Sequence, residues 1–300
     1  MHPRRRPRLA LAAVAAAVAA VLAMALWPVL LHRHAHAGDA TLARIRQRGY
    51  LIVGVPLWMP PFGAPSRAGA WQGLDVTLAR GVAQALLGSP LQVHLLPLAP
   101  GERRWAVQSG AADLVAAAFA APEGRGDPVP EAGAGVRPVG PYYTEPLALL
   151  VPRQAPIRRW RDLDGRVVAV LPGGPGGAAL TRATAGRATP VWTETDSAAV
   201  AAREVALGHY RALVAGLAVA RALAAYDPEL AVQTPPGLGR VSYFALVPDD
   251  VPALGDAVRQ AIAALPAGAA LQRLLTVWAA GAASPRSPTP PVLTAPPPAA

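Results

Sequence analysis

The sequence predicts an α/β fold, in which short buried strands alternate with amphipathic helices. Three observations predict it. Leu51 to Val55 is a compact apolar run bounded by Gly49 and Pro56, which suits a central strand. Asp75 stands where a helix N-cap belongs, and Val76, Ala79, Ala83 and Leu86 then recur at helical spacing. The same alternation of apolar run and helix-periodic segment then repeats along the chain. With 300 residues there is room for one large or two modest domains. On periodicity alone, the first strand, the Pro60-Pro61-Phe62-Gly63 loop and the Asp75 helix fit any α/β domain.

Thr41 to Gln47 predicts a short helix leading into that strand. After the Asp75 helix, Leu91-Gln92-Val93-His94-Leu95 alternates as a strand does. Glu102 to Gly110 reads as a helix closed by its glycine, and Asp113 to Ala117 as the following strand. Leu147 to Val151 and Arg166 to Val170 are further strands. Pro172-Gly173-Gly174-Pro175-Gly176-Gly177 then leads into a helix from Ala178. Ala198 to Leu207 predicts a helix ended by Gly208, with a strand at Ala212 to Ala215. Val241 to Val247 is a strand again, and Asp256 to Leu265 and Leu271 to Trp278 read as closing helices. From Ser284 the chain is mostly Pro, Ser, Thr and Ala, the composition of a disordered tail.

Composition narrows the function. All 28 basic residues are arginine, and the net charge is +10. Arg4, Arg5, Arg6, Arg8 and Arg33 lie in an N-terminal segment without acids. The remaining arginines are scattered without an RNA-binding signature, which argues against nucleic acid as a partner. Cysteine is absent, which excludes disulfides, thiolate metal sites and a cysteine nucleophile. Residues 1–8 are basic, Leu9 to Leu31 is uncharged and apolar, and Ala35-His36-Ala37 offers a small-x-small cleavage site. That is a signal peptide by its three parts, though the apolar run is also long enough for an uncleaved anchor. Either way, the body lies outside the cytoplasmic membrane: periplasmic, free or anchored. His32, His34 and His36 are given no metal role.

Arg48-Gly49-Tyr50-Leu51-Ile52-Val53-Gly54-Val55, then Pro60-Pro61-Phe62, then Gly73-Leu74-Asp75-Val76-Thr77-Leu78-Ala79 resembles the opening of the extracellular solute-binding proteins of polar amino-acid ABC transporters (family 3). Arg103, Gln108, Ser109, Gly110 and Asp113 match a second block of that family, from which Glu102 and Trp105 depart. Pro141-Tyr142-Tyr143 and Asp162 to Val170 match two more, so the resemblance runs in order over residues 42–280. It implies a two-lobed periplasmic-binding-protein-like fold of type II, with two crossing hinge strands and a ligand cleft between the lobes. Residues 38–147 and 239–281 would form the first lobe, 148–238 the second and 282–300 the tail. The implied role is capture of a small polar solute, an amino acid or related carboxylate, for an ABC permease. No cofactor or metal, no catalysis and a monomer are expected.

The resemblance also implies a site. The family's carboxylate-binding arginine falls on Arg125, twelve residues after Asp113, and a guanidinium presents a bidentate fork to a carboxylate. The family's small polar positions fall on Ala118 and Ala120, and its second-lobe anion turn on Gly173 and Gly174 before Pro175. Trp58 and Phe62 line the loop that in relatives packs on the ligand's side chain. The acid that usually meets the ammonium falls on Gly216, another on Pro56, and Arg211 stands for a further aspartate. A buried ammonium without a counter-charge costs several kcal/mol. Either another acid moves in, or the ligand is not an ordinary amino acid. Two other readings stay open: a degenerate sensor or partner-binding domain without a free amino-acid ligand, and a dehydratase-type enzyme with Glu102 or Glu123 as general acid.

Overall fold

The computed structural model describes residues 40–66, 69–123, 133–185, 187–188, 191–194 and 197–266, with 268–269, 272–274 and 276 beyond them. The leader, half of the last predicted helix and the Pro-rich tail lie outside the described residues, and so does Arg125.

Helix α1 (40–48) ends at Gly49, whose φ of 79° and N–H bond to Ile45 O turn the chain into β1 (Leu51–Pro56). A small hairpin, β2 (Ala64–Pro65) with β3 (Trp71–Gln72), precedes α2 (Leu74–Leu87). Next come β4 (Val93–Leu98), α3 (Arg103–Gln108), β5 (Leu114–Pro122) and a long β6 (Val136–Pro152). The second half runs β7 (Val167–Val170), α4 (Gly176–Thr184), β8 (Val191–Glu194), α5 (Ala198–Ala206), β9 (Ala212–Gly216), α6 (Leu217–Tyr226) and β10 (Leu230–Gln233). It returns through β11 (Arg240–Pro248) and α7 (Pro252–Ala264).

The strand order is β4-β1-β5-β11-β6-β9-β7-β8, with β10 on the far part of β6. It contains the same plan twice. In each half the first strand, β1 or β7, is flanked in parallel by the second and third, and one antiparallel strand then separates the third from the fourth. That strand is β11 in one half and β6 in the other. Residues Val136 to Pro146 of β6 pair with β11, and Leu147 to Pro152 pair with β9 and β10. One unbroken strand thus belongs to both lobes, and the return through residues 234–239 makes the second crossing. Leu147 N–H bonds Gly239 O at 2.9 Å where the two crossings meet.

Several sequence expectations need correction. Asp75 is not the N-cap: Gly73 is, and Asp75 sits in the first turn of α2, fully buried, accepting from Ala118 N–H at 2.8 Å. The strand expected at Leu91 starts at Val93, because Leu91 lies in the turn before it and is 84% exposed. Asp113 precedes β5 rather than opening it. Its carboxylate accepts from Arg48 and from Ile52 N–H, which clips the entry of β1 to that of β5. Strand β8, helix α6 and strand β10 had no counterpart in the sequence reading.

Candidate functional site

The cleft between the two half-sheets is bordered from both sides. Met59, Arg103, Ala118, Ala120, Val241 and Tyr243 face it from the first half. The Leu171 to Gly176 turn, Val214 to Gly216, and Val219 face it from the second. The free space is about 40 Å³, room for a few waters.

Each wall has a local cause. Strand β5 brings Ala118 and Ala120 to the cleft, and Ala118 adopts φ 49°, a left-handed conformation unusual for any residue but glycine. Its N–H is tied to the buried Asp75, so a carboxylate behind the wall holds the distortion. Burial pushes Asp75 up to about 6 against the opposing pull of Tyr142, the Ala118 N–H and Arg103. Arg103 opens α3, after a turn in which the Glu102 carboxylate accepts from Ala99 N–H at 2.8 Å. It is 5% exposed and borders the cleft, so it places a buried positive charge there. Across the cleft, Gly173 to Pro175 deliver the N-terminus of α4, whose first backbone N–H groups favour an anion.

At the bottom, where β6 changes sheets, Glu145 is 2% exposed. Tyr243 Oη donates to its Oε1 at 2.9 Å, and Ala218 N–H donates to its Oε2 at 2.6 Å. Burial pushes Glu145 up to about 7, opposed by those two hydrogen bonds and by Arg221 and Arg240. Gly216 lies against this pair. A Cβ built there would fall inside van der Waals distance of Glu145 Oε1 and Tyr243 Oη.

Of the residues singled out from sequence, Ala118, Ala120, Gly173, Gly174 and Gly216 come together on the cleft walls. Phe62 does not border the cleft. It is buried, 4.4 Å from the Tyr243 ring and 6.2 Å from Tyr143, because the loop folds inward onto the hinge aromatics. Trp58 reaches across to Tyr226 of α6, with ring centroids 5.9 Å apart. Glu102 and Glu123 are exposed, and Glu123 pairs with Arg240 at 2.5 Å. Sequence reasoning missed Arg103 as a site residue although it sits in a matched motif, and it missed Glu145 altogether. Glu145 was marked only as the single carboxylate of its strand, in which Arg137 is the other charged residue.

The profile of the bacterial extracellular solute-binding proteins, family 3, matches residues 51–281. The chain belongs to that family. Among curated relatives, the Escherichia coli (strain K12) protein YhdW is 32% identical over 139 residues, 46% of this chain and 39% of that relative. The general L-amino acid-binding periplasmic protein AapJ of Rhizobium johnstonii is 34% identical over 96 residues, 32% of this chain and 28% of AapJ. The matched stretches thus span well under half of these curated relatives. A solved solute receptor for L-cysteine of Neisseria gonorrhoeae is 26% identical, with a TM-score of 0.66 over 81% of this chain and 97% of that one. The fold is the type II periplasmic-binding-protein fold that the sequence motifs implied, and the family is a solute-binding one located outside the cytoplasm.

Proposed function

We propose that this solute-binding protein captures an amino acid or related small carboxylate in the cleft and delivers it to an ABC permease. The observation that carries the reading is the buried Arg103 guanidinium facing the N-terminus of α4 across the cleft. Two sources of positive potential, one in each lobe, suit a carboxylate whose capture draws the lobes together. Arg125, on the segment after β5, is a second candidate carboxylate ligand. On this reading the protein binds and releases without turnover, acts as a monomer and works on the outer side of the cytoplasmic membrane, free or tethered by its leader. The names of YhdW's fellow relative AapJ and of the gonococcal receptor support an amino-acid ligand.

A thermal-shift screen tests it. Any ligand that binds only the folded state raises the melting temperature by linkage. Amino acids and small carboxylates are the panel, repeated with Arg103→Met and Arg125→Ala. A shift in the wild type that one of these variants abolishes supports the reading. No shift across the panel removes it.

A further inference from the structure

We propose that Glu145 is the acid of the cleft, a specificity residue that meets the solute's ammonium group from the hinge strand rather than from position 216. The proposal deepens the reading above and rests on it. Side chains alternate along β6, so Glu145 projects to the same side as Leu147, a cleft-lining residue. Its two oxygens are held from opposite lobes, by Tyr243 of β11 and by the first turn of α6. Tyr243 and Gly216 both border the cleft. The space into which a side chain at 216 would grow is occupied by Glu145 Oε1. The missing acid of position 216 and the buried acid of position 145 thus share one place.

Each carboxylate oxygen keeps a second lone pair, so Glu145 can accept from an ammonium while retaining both of its present donors. No carboxylate is among the described residues that line the cavity; Glu145 lies directly behind two that do, Gly216 and Tyr243. The charged and titratable groups facing Glu145 are Tyr243 and Arg240 of β11, Arg221 of α6 and Tyr143 of its own strand. Burial opposes its carboxylate form, while the hydrogen bonds from Ala218 and Tyr243 and then the two arginines favour it, which leaves the group close to balance at neutral pH. A bound ammonium tips that balance toward the carboxylate. Binding at or below neutral pH therefore expels a proton, and affinity for amine-bearing solutes rises with pH until Glu145 is fully ionised.

The test uses the whole protein. The probes are the common L-amino acids and, for each binder, the carboxylic acid lacking only the amine. Calorimetric affinities are measured at about pH 5.5 and about pH 8.5, on either side of the Glu145 titration. The wild type should prefer the amine-bearing partner by about tenfold or more at the higher pH, the worth of a charge-assisted hydrogen bond. That preference should shrink at the lower pH. Glu145→Gln should lose the preference at both, while the plain carboxylic acid binds as before. If Glu145→Gln keeps the preference, the proposal falls and the receptor reading stands. If no L-amino acid binds the wild type, the proposal falls, and the receptor reading falls with it only when no small carboxylate binds either. Should Glu145→Gln fail to fold, Tyr243→Phe serves instead. It removes one donor from the carboxylate, so the pH at which the preference appears must move upward, and an unmoved midpoint overturns the proposal.

Discussion

At Gly216 even a methyl group would run into Glu145 Oε1 and Tyr243 Oη, and neither can swing away without giving up a buried hydrogen bond. Gly216→Ala should therefore cost about 1–3 kcal/mol, the usual range for overpacking a tight site. It should appear as a lower urea midpoint with an unchanged slope. Gly73 is stricter: its φ is 143°, and a Cβ there would meet the backbone of Phe62, which cannot rotate aside. Gly73→Ala should destabilise more than Gly216→Ala in the same titration. The two buried carboxyls set a pH dependence. Asp75 and Glu145 hold their protons more tightly folded than unfolded, at about 6 and about 7 against ordinary values of 3.8 and 4.5. The folded state is favoured most below the unfolded values, and stability declines as pH rises through that window to a floor above about 7. The melting temperature should fall between about pH 4 and about pH 8. Glu145→Gln should remove part of the slope, on the order of 3 kcal/mol at most.

Among the elements, β1 and β5 are fastened by a side chain that belongs to neither. Asp113 accepts from Arg48 and from Ile52 N–H, so Asp113→Ala removes the acceptor from a part-buried N–H and one of the two acceptors of the Arg48 guanidinium. Because Arg48 keeps its bond to Tyr50 O, equilibrium unfolding should show a loss of about 1–2 kcal/mol. The elements were also the most legible part of the sequence. β1, α2, β7, α5 and β11 lay where apolar runs and helical spacing put them, because each buries a continuous apolar face. Asp75 misled for a physical reason: an aspartate at the start of a helix satisfies the cap pattern, but Gly73 holds the backbone angle while Asp75 turns inward to Ala118. The extent of β6 was invisible because Pro138, Gly140, Pro141 and Pro146 interrupt it, residues that argue against a strand interior. Helix α6 follows β9 with no intervening loop, so nothing punctuated it. For the site, ordered motifs led to the walls, but the partnership of Glu145 with Tyr243 joins residues 98 apart and no local pattern carries it.

For the molecule as a whole, the cleft's free volume is small, so on the proposed function a solute enters when the lobes part. Trp58 comes from the first lobe and Tyr226 from the second, so their ring contact bridges the two lobes. Trp58→Ala removes an interaction worth about 0.5–1.5 kcal/mol from the closed state alone. The bound solute should then dissociate several-fold faster in stopped-flow measurements. The Leu147–Gly239 hydrogen bond has a different consequence. It brings the two ends of residues 147–239 side by side, so that everything between them forms one contiguous insert with neighbouring termini. Such a segment is a cassette. Its donor turn and its share of the cleft can be exchanged with that of a relative by two cuts, without disturbing the strand order of the host sheet.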